Sequence, residues 1–414
     1  MTAPKRYLVV ADTDSRLQWA LQVGKLLTRH GYRGETILAQ AKANPSAAQL
    51  RDLGLAAMPR REPAATICQL DYLGDFDAIV IGLMGPDLGR FLDRIRQQLE
   101  QLRPARRPLL ISGYWGITGI RDAEGLLWRL GCDLICLNNA ENLEAFTRIL
   151  ADCHRDADIL VPTGFLAAGP TRPAADHGND IRTVLFVGQP NLPRTRYAKA
   201  YLLHHLIDYA RQHPDRSLVI KPRMRPGERA THREGFSLES LCRERKGGLP
   251  PNLSFGYGAI EPFLERADLI LTISSAAAIE AWGRGKRAAL VSDFGIDDTL
   301  ANPFFIGSGA FASFAAILAD QIPPVDLAWL TRKAFSPGFS GERLIERLAA
   351  LADRQSRQGA ALPMQPSFFT EQAHPLAFGK VDIRRYHRAR ALGVLGNILR
   401  RVKVYWNDRA EFFD

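Results

Sequence analysis

Short apolar runs alternate with amphipathic stretches along most of this 414-residue chain, and that alternation limits its fold more than any other feature. Tyr7–Ala11 is a β-type run, followed by a helical pattern over Ser15–Arg29 with Leu17, Leu21 and Leu26 on one side. Further strand-like runs lie at Ala78–Leu83, Pro108–Ser112, Leu134–Leu137 and Ile159–Val161. Helical patterns at Pro86–Leu102, Ala123–Leu130 and Glu141–Cys153 separate them. Continuous apolar strands with intervening helices imply a parallel sheet covered on both faces.

The pattern breaks at 162–182, where Pro162, Gly164, Gly169, Pro170, Pro173 and Gly178 crowd a stretch with little apolar material. A second α/β series follows. Its strands are Thr183–Val187, Ser217–Lys221, Leu253–Phe255, Leu269–Ile273 and Ala288–Val291. Its helices are Tyr197–Gln212, Ile260–Arg266, Ala276–Gly283, Ala310–Ala319 and Gly341–Ala352. The expected architecture is α/β: a domain over 1–165, a linker over 166–182, a second domain over 183–355 and an extension over 356–414. Ligands of such sheets bind beyond the carboxyl ends of the strands. The cleft between two such domains is therefore the expected site.

Hydrophobic residues at 46% and charged residues at 24% exclude a mostly disordered chain. A net charge of +10 points to an anionic partner. Cys68, Cys132, Cys136, Cys153 and Cys242 are odd in number and scattered, as expected of free thiols in a reducing compartment. No second Cys/His pair accompanies Cys132 and Cys136, so no metal site is expected. There is no long apolar span, and the expected location is the cytoplasm. Neither a P-loop nor a dinucleotide-binding glycine motif is present. No nucleic-acid-binding pattern occurs either.

Several strand ends carry chemistry. Leu269–Ile273 ends in Ser274 and Ser275, ahead of a small-residue helix. These serines either cap that helix or hold an anion there. Strand Ser217–Lys221 delivers Lys221 and Arg223 around Pro222, two cations suited to a phosphate, with His232 further on. Gly188 and Gln189 follow Thr183–Val187 at the domain junction, where Gly188 leaves room for a ligand or simply makes a turn. Glu261 starts a helix and either accepts from ribose hydroxyls or favours the helix dipole. Asp12 and Asp14 follow the first strand; one is a candidate general base, the alternative being a helix cap. Gly113, Tyr114 and Trp115 follow Pro108–Ser112, with the aromatics placed either to stack on an acceptor sugar or to fill the core. Basic residues interleaved with apolar ones over 380–406 describe an amphipathic helix, either on an anionic membrane or packed on the protein.

A Lys-Pro-basic strand end followed by a Ser-Ser strand end resembles the nucleotide half of GT-B glycosyltransferases. It is similar, more narrowly, to the bacterial sialyltransferase, polysialyltransferase and Kdo-transferase group. Ser274 and Ser275 match that group's Ser-Ser/Thr motif; Lys221-Pro222-Arg223 stands where its His-Pro motif belongs. The nearest forms of its acidic base motif are Asp122-Ala123-Glu124-Gly125 and the Asp12/Asp14 pair. The resemblance covers roughly residues 183–300. It implies two Rossmann-like domains facing a central cleft, a CMP-sugar co-substrate, a glycan or glycolipid acceptor and no further cofactor. Gly188, Gln189, Lys221, Arg223, Glu261, Ser274 and Ser275 would hold the donor. Asp12 or Asp14 would take the acceptor proton, with His232 assisting at the phosphate. CDP-glycerol-type phosphotransferases share this nucleotide half and are the alternative enzyme class. A non-catalytic protein that binds an anionic glycan is the third reading.

Overall fold

The computed structural model describes residues 4–117, 123–168, 180–190, 192–226, 228, 236–245 and 248–367. The first lobe holds seven strands, β1 (Arg6–Ala11), β2 (Arg33–Ala39), β3 (Arg60–Glu62), β4 (Ala78–Gly82), β5 (Leu109–Gly113), β6 (Leu134–Leu137) and β7 (Leu160–Pro162). They pair in the order β3-β2-β1-β4-β5-β6-β7, every pair parallel. Between them run α1 (Asp14–Arg29), α2 (Ala47–Asp52), α3 (Ala64–Cys68), α4 (Gly85–Leu102), α5 (Ala123–Leu127) and α6 (Ala140–Asp152).

The second lobe holds β8 (Thr183–Val187), β9 (Ser217–Lys221), β10 (Leu253–Phe255), β11 (Leu269–Thr272), β12 (Arg287–Val291) and β13 (Phe311–Ala312). Their order is β10-β9-β8-β11-β12-β13, again all parallel. Its helices are α7 (Arg196–Gln212), α8 (Leu238–Glu244), α9 (Glu261–Arg266), α10 (Ala277–Gly283), α11 (Phe314–Leu318) and α12 (Leu327–Lys333), and α13 (Gly341–Gln358) follows.

The continuous apolar strands are explained by burial on both faces. Along β8, Val184 and Phe186 pack with Leu202 and Leu206 of α7, while Leu185 and Val187 pack with Ala278 and Trp282 of α10. One strand thus serves two cores.

Three differences from the expected elements have local causes. The helix expected over Ala310–Ala319 is split: Phe311 and Ala312 pair with Leu290 and Val291 at the sheet edge, and Ser313 then caps α11 through the Ala316 amide. β2 opens on polar residues and confines its apolar ones to Ile37, Leu38 and Ala39, and β3 has none; β3 is held by its register with Ile37–Ala39 at a charged sheet edge. α13 runs past the expected boundary at 355, and Leu344 and Leu348 join the core of the first lobe beside Val9, Leu26 and Leu134. The chain therefore returns to its first lobe. Of the expected linker, residues 169–179 lie outside the described residues, as does the basic segment 380–406.

Candidate functional site

The carboxyl ends of β1, β5, β8, β9, β10 and β11 converge on one cleft of about 860 Å³ between the lobes. Asp14, Trp115, Gly188, Gln189, Lys221, Arg223, Glu261, Ser274 and Ser275 all line it. Residues more than two hundred positions apart therefore meet, because the loops beyond both sheets face each other.

The two serines are not equivalent. Ser274 is buried; its hydroxyl donates to the Leu300 carbonyl at 2.6 Å and also lies 3.1 Å from Gln189 Oε1. Gln189 Oε1 also accepts the Ser274 amide at 3.1 Å. This pair ties the end of β8 to the end of β11. Ser275 Oγ accepts the Ala277 amide at 3.2 Å, which leaves its own hydroxyl proton for a ligand. Both serines line the cleft, but the Ser274 hydroxyl is spent joining strand ends whereas the Ser275 hydroxyl proton is free to donate. At Gly188 an added Cβ would meet only ordinary contacts, the nearest being Lys221 O at 3.5 Å.

Lys221 is 7% exposed, forms no ion pair among the described residues, and places Nζ 5.6 Å from the centre of the Phe263 ring. Burial first, and Arg223 second, lower its ammonium from the ordinary lysine value to about 8, against the opposing pull of Asp52 and Glu261. Arg223 Nε and Nη2 donate to Asp14 Oδ2 at 3.1 and 2.9 Å. Arg225 grips both oxygens of Asp52 at 2.7 and 3.2 Å.

Asp12 does not line the cleft. It is 6% exposed, paired with Arg16, and burial raises its carboxyl despite that partner. The turn from β1 into α1 separates the two aspartates, and of the expected pair only Asp14, the first residue of α1, lines the cleft. The Arg16 guanidinium that Asp12 pairs with lies 5.5 Å from the centre of the Trp115 ring.

Of the three expected acceptor-side residues, Trp115 alone reaches the cleft. Tyr114 is buried beneath the Arg129 guanidinium, 3.9 Å from its ring centre, and beside Phe146. Gly113 is a packing position: a Cβ there would come within 2.5 Å of Trp19 and 2.7 Å of Cys136. Arg129 also donates to the Gly113 carbonyl at 3.0 and 2.9 Å and lies 5.4 Å from Trp115. The aromatic turn is therefore fixed from within. His232 and Asp122 lie outside the described residues, as does the side chain of Glu124.

Glu280, like Asp52, is a cleft residue that sequence reasoning missed. It sits on α10, one and a half turns beyond Ser275, and lines the cleft. Burial first, and the Glu261 charge in addition, push its carboxyl up to about 7, while Arg284 pulls the other way. Its Oε2 accepts no hydrogen bond and lies 3.6 Å from Arg284 Nη1. A single acid in the run Ala276-Ala277-Ala278-Ile279-Glu280 was the available signal. Among the described residues no three His, Cys, Asp or Glu side chains cluster as metal ligands.

A family model described as "Putative glycosyltransferase (DUF6716)" matches residues 7–351. The chain belongs to this glycosyltransferase family. Comparison with curated proteins finds no match. Among solved structures the chain is similar in fold to the S. aureus MnaA–UDP co-structure (12% identity, 85% of this chain and 97% of that one, TM-score 0.53). A Methanocaldococcus jannaschii UDP-GlcNAc 2-epimerase in complex with UDP-GlcNAc and UDP aligns at 12% identity over 84% and 99% of the chains (TM-score 0.51). Arabidopsis thaliana UGT89C1 complexed with UDP-L-rhamnose aligns at 13% identity over 86% and 100% (TM-score 0.51). With two parallel-sheet lobes, the family member has the GT-B fold. Among the described residues no helix is long and apolar enough to cross a membrane.

Proposed function

We propose that this family member moves a sugar from a nucleotide-sugar donor to a hydroxyl of a glycan or glycolipid acceptor in surface-polysaccharide synthesis, without a metal ion. One observation carries the reading: Lys221, Arg223, Arg225 and Ser275 gather on one wall of a cleft whose other wall holds Asp14 and Trp115. The acceptor oxygen attacks the sugar's anomeric carbon, and the bond to the donor phosphate breaks with its electron pair on the nucleotide. Negative charge grows on that phosphate in the transition state, where fixed cations and the Ser275 hydroxyl stabilise it. The Asp14 carboxylate takes the acceptor proton. Trp115 offers an aromatic face to a sugar ring. The Glu280 carboxyl, whose Oε2 accepts no hydrogen bond, suits a ligand hydroxyl.

For the donor, the motif resemblance favours a CMP-sugar of the sialic-acid or Kdo kind. A uridine diphosphate sugar is the second reading, favoured by the fold relatives solved with UDP or a UDP-sugar. A cytoplasmic location, with residues 380–406 resting on the inner membrane face, is proposed from the sequence alone.

Thermal unfolding with CMP, CDP, UMP, UDP, GMP and AMP tests the reading. A pyrimidine nucleotide is expected to stabilise the protein, by about 2.7 kcal/mol at a hundred times its Kd. Ser275→Ala is expected to diminish the effect. If no nucleotide raises the melting temperature, the reading fails. Product mass then separates the classes, since phosphotransfer adds phosphorus to the acceptor and glycosyl transfer does not.

A further inference from the structure

Two of the three cations given above to the donor phosphate are already held, and by carboxylates from the opposite lobe. Arg223 of the β9 loop binds Asp14 at the start of α1, and Arg225 binds Asp52 at the end of α2 in a two-pronged pair. A third bond crosses the cleft beside them, from Ser46 Oγ to Glu228, whose other oxygen accepts the Arg225 amide at 2.9 Å. An added Cβ at Gly258 of the second lobe would lie 3.7 Å from Asp52 Oδ1, so Asp52 sits against that lobe.

A carboxylate and a phosphate present the same pair of anionic oxygens to a guanidinium fork. We propose that Asp14 and Asp52 are positioning residues that hold the places of the donor's phosphate oxygens, and that donor binding exchanges them. The phosphate takes Arg223 and Arg225, and both carboxylates are released into the cleft. This rests on the nucleotide-sugar reading.

The side chains of these pairs are 21–42% exposed, and ion pairs so exposed are weak enough to be displaced. A diphosphate donor brings two negative charges and replaces both carboxylates one for one. A nucleoside monophosphate sugar is a phosphodiester, brings one phosphate charge and leaves one arginine paired to its carboxylate. The exchange therefore favours a nucleoside diphosphate sugar. It also frees Asp14 Oδ2, the oxygen that both Arg223 bonds occupy, for an acceptor hydroxyl once the donor is seated.

The test is calorimetric titration of UDP, CDP, a UDP-sugar and a CMP-sugar into the full chain and into Asp52→Asn and Asp52→Ala. Removing the competing carboxylate is expected to tighten the nucleoside diphosphate by about two- to five-fold, the range of an exposed pair. The gain is expected to vanish in Asp52→Asn combined with Arg225→Gln. A merely structural Asp52 would leave binding unchanged or weaker. Nucleotide binding to the wild type with no tightening in either variant overturns the inference and leaves the proposed function standing. Equal gains for the CMP-sugar and the UDP-sugar, whose phosphates carry one charge and two, overturn the selection for diphosphate. Failure of every nucleotide to bind overturns both.

Discussion

At the scale of single residues, burial sets the chemistry of the cleft. Lys221 loses its proton near pH 8 because desolvation disfavours its charged form. Its folded value lies below the unfolded one of about 10.5, so its burial lowers stability fully below pH 8 and the loss is recovered as pH rises towards 10.5. Function runs the other way, since only the charged form attracts phosphate. Nucleotide affinity is expected to hold up to about pH 7.5 and then fall by at most about ten-fold per unit through pH 8 and above. Titrations from pH 6.5 to 9.5 measure this, and Lys221→Met is expected to bind more weakly at pH 7 with no such fall. Glu280 has the opposite sign. Its folded value of about 7 lies above the ordinary 4.5, so its charged form penalises the fold above pH 7, and the penalty fades as pH falls towards 4.5. Glu280→Gln is expected to gain about 1–3 kcal/mol in urea unfolding at pH 8 and almost nothing at pH 4.5. Equal gains at both pH values would contradict that origin.

At the scale of elements, a buried polar cluster holds the end of α13 to the first lobe, beyond the core packing of Leu344 and Leu348. Arg107, before β5, pairs with Asp133, before β6, through two 2.7 Å bonds, with the side chains 3% and 6% exposed. Arg107 also donates to the carbonyls of Leu362 and Pro363, and Gln355 of α13 bonds both backbone groups of Arg107. Gly359 closes α13 at a φ of +62°, a conformation glycine adopts without strain. The chain beyond α13 is thus tied to the sheet. Breaking a buried pair strands a charge, so Asp133→Asn is expected to cost about 3–5 kcal/mol in denaturant unfolding. Replacing Arg107 and Asp133 together by leucine is expected to recover much of that loss. Recovery would assign the loss to the stranded charge and not to the missing side-chain volume.

At the scale of the whole molecule, two lobes with separate cores meet across a polar cleft. The contacts closest to the proposed phosphate site are the pairs Asp14–Arg223 and Asp52–Arg225 and the bond from Ser46 to Glu228. Polar contacts of this exposure respond to salt, because the screening length falls to about 3 Å at 1 M. The radius of gyration from X-ray scattering is therefore expected to grow between 0.05 and 1 M salt. Asp14→Asn combined with Asp52→Asn is expected to give the larger radius at low salt already. A radius indifferent to both salt and substitution would mean that these pairs do not hold the lobes together.

The sequence by itself determined the two parallel sheets and the strand ends that meet at the cleft. Strand and helix periodicity is local, and parallel strands place their carboxyl ends on one side. That reasoning found Lys221, Arg223, Ser275 and Trp115, and it missed β3, whose charged residues follow no apolar pattern. Only the tertiary structure decided between neighbours. Asp14 faces the cleft while Asp12 is buried with Arg16, and Ser275 is open while Ser274 binds Leu300. It also decided that Glu280 Oε2 has an ion-pair neighbour in Arg284 but no hydrogen bond, and that acids near the start of the chain hold the arginines after β9. The physical reason is distance along the chain. Where a side chain points follows from its own backbone, but what it meets there is set by segments a hundred or more residues away.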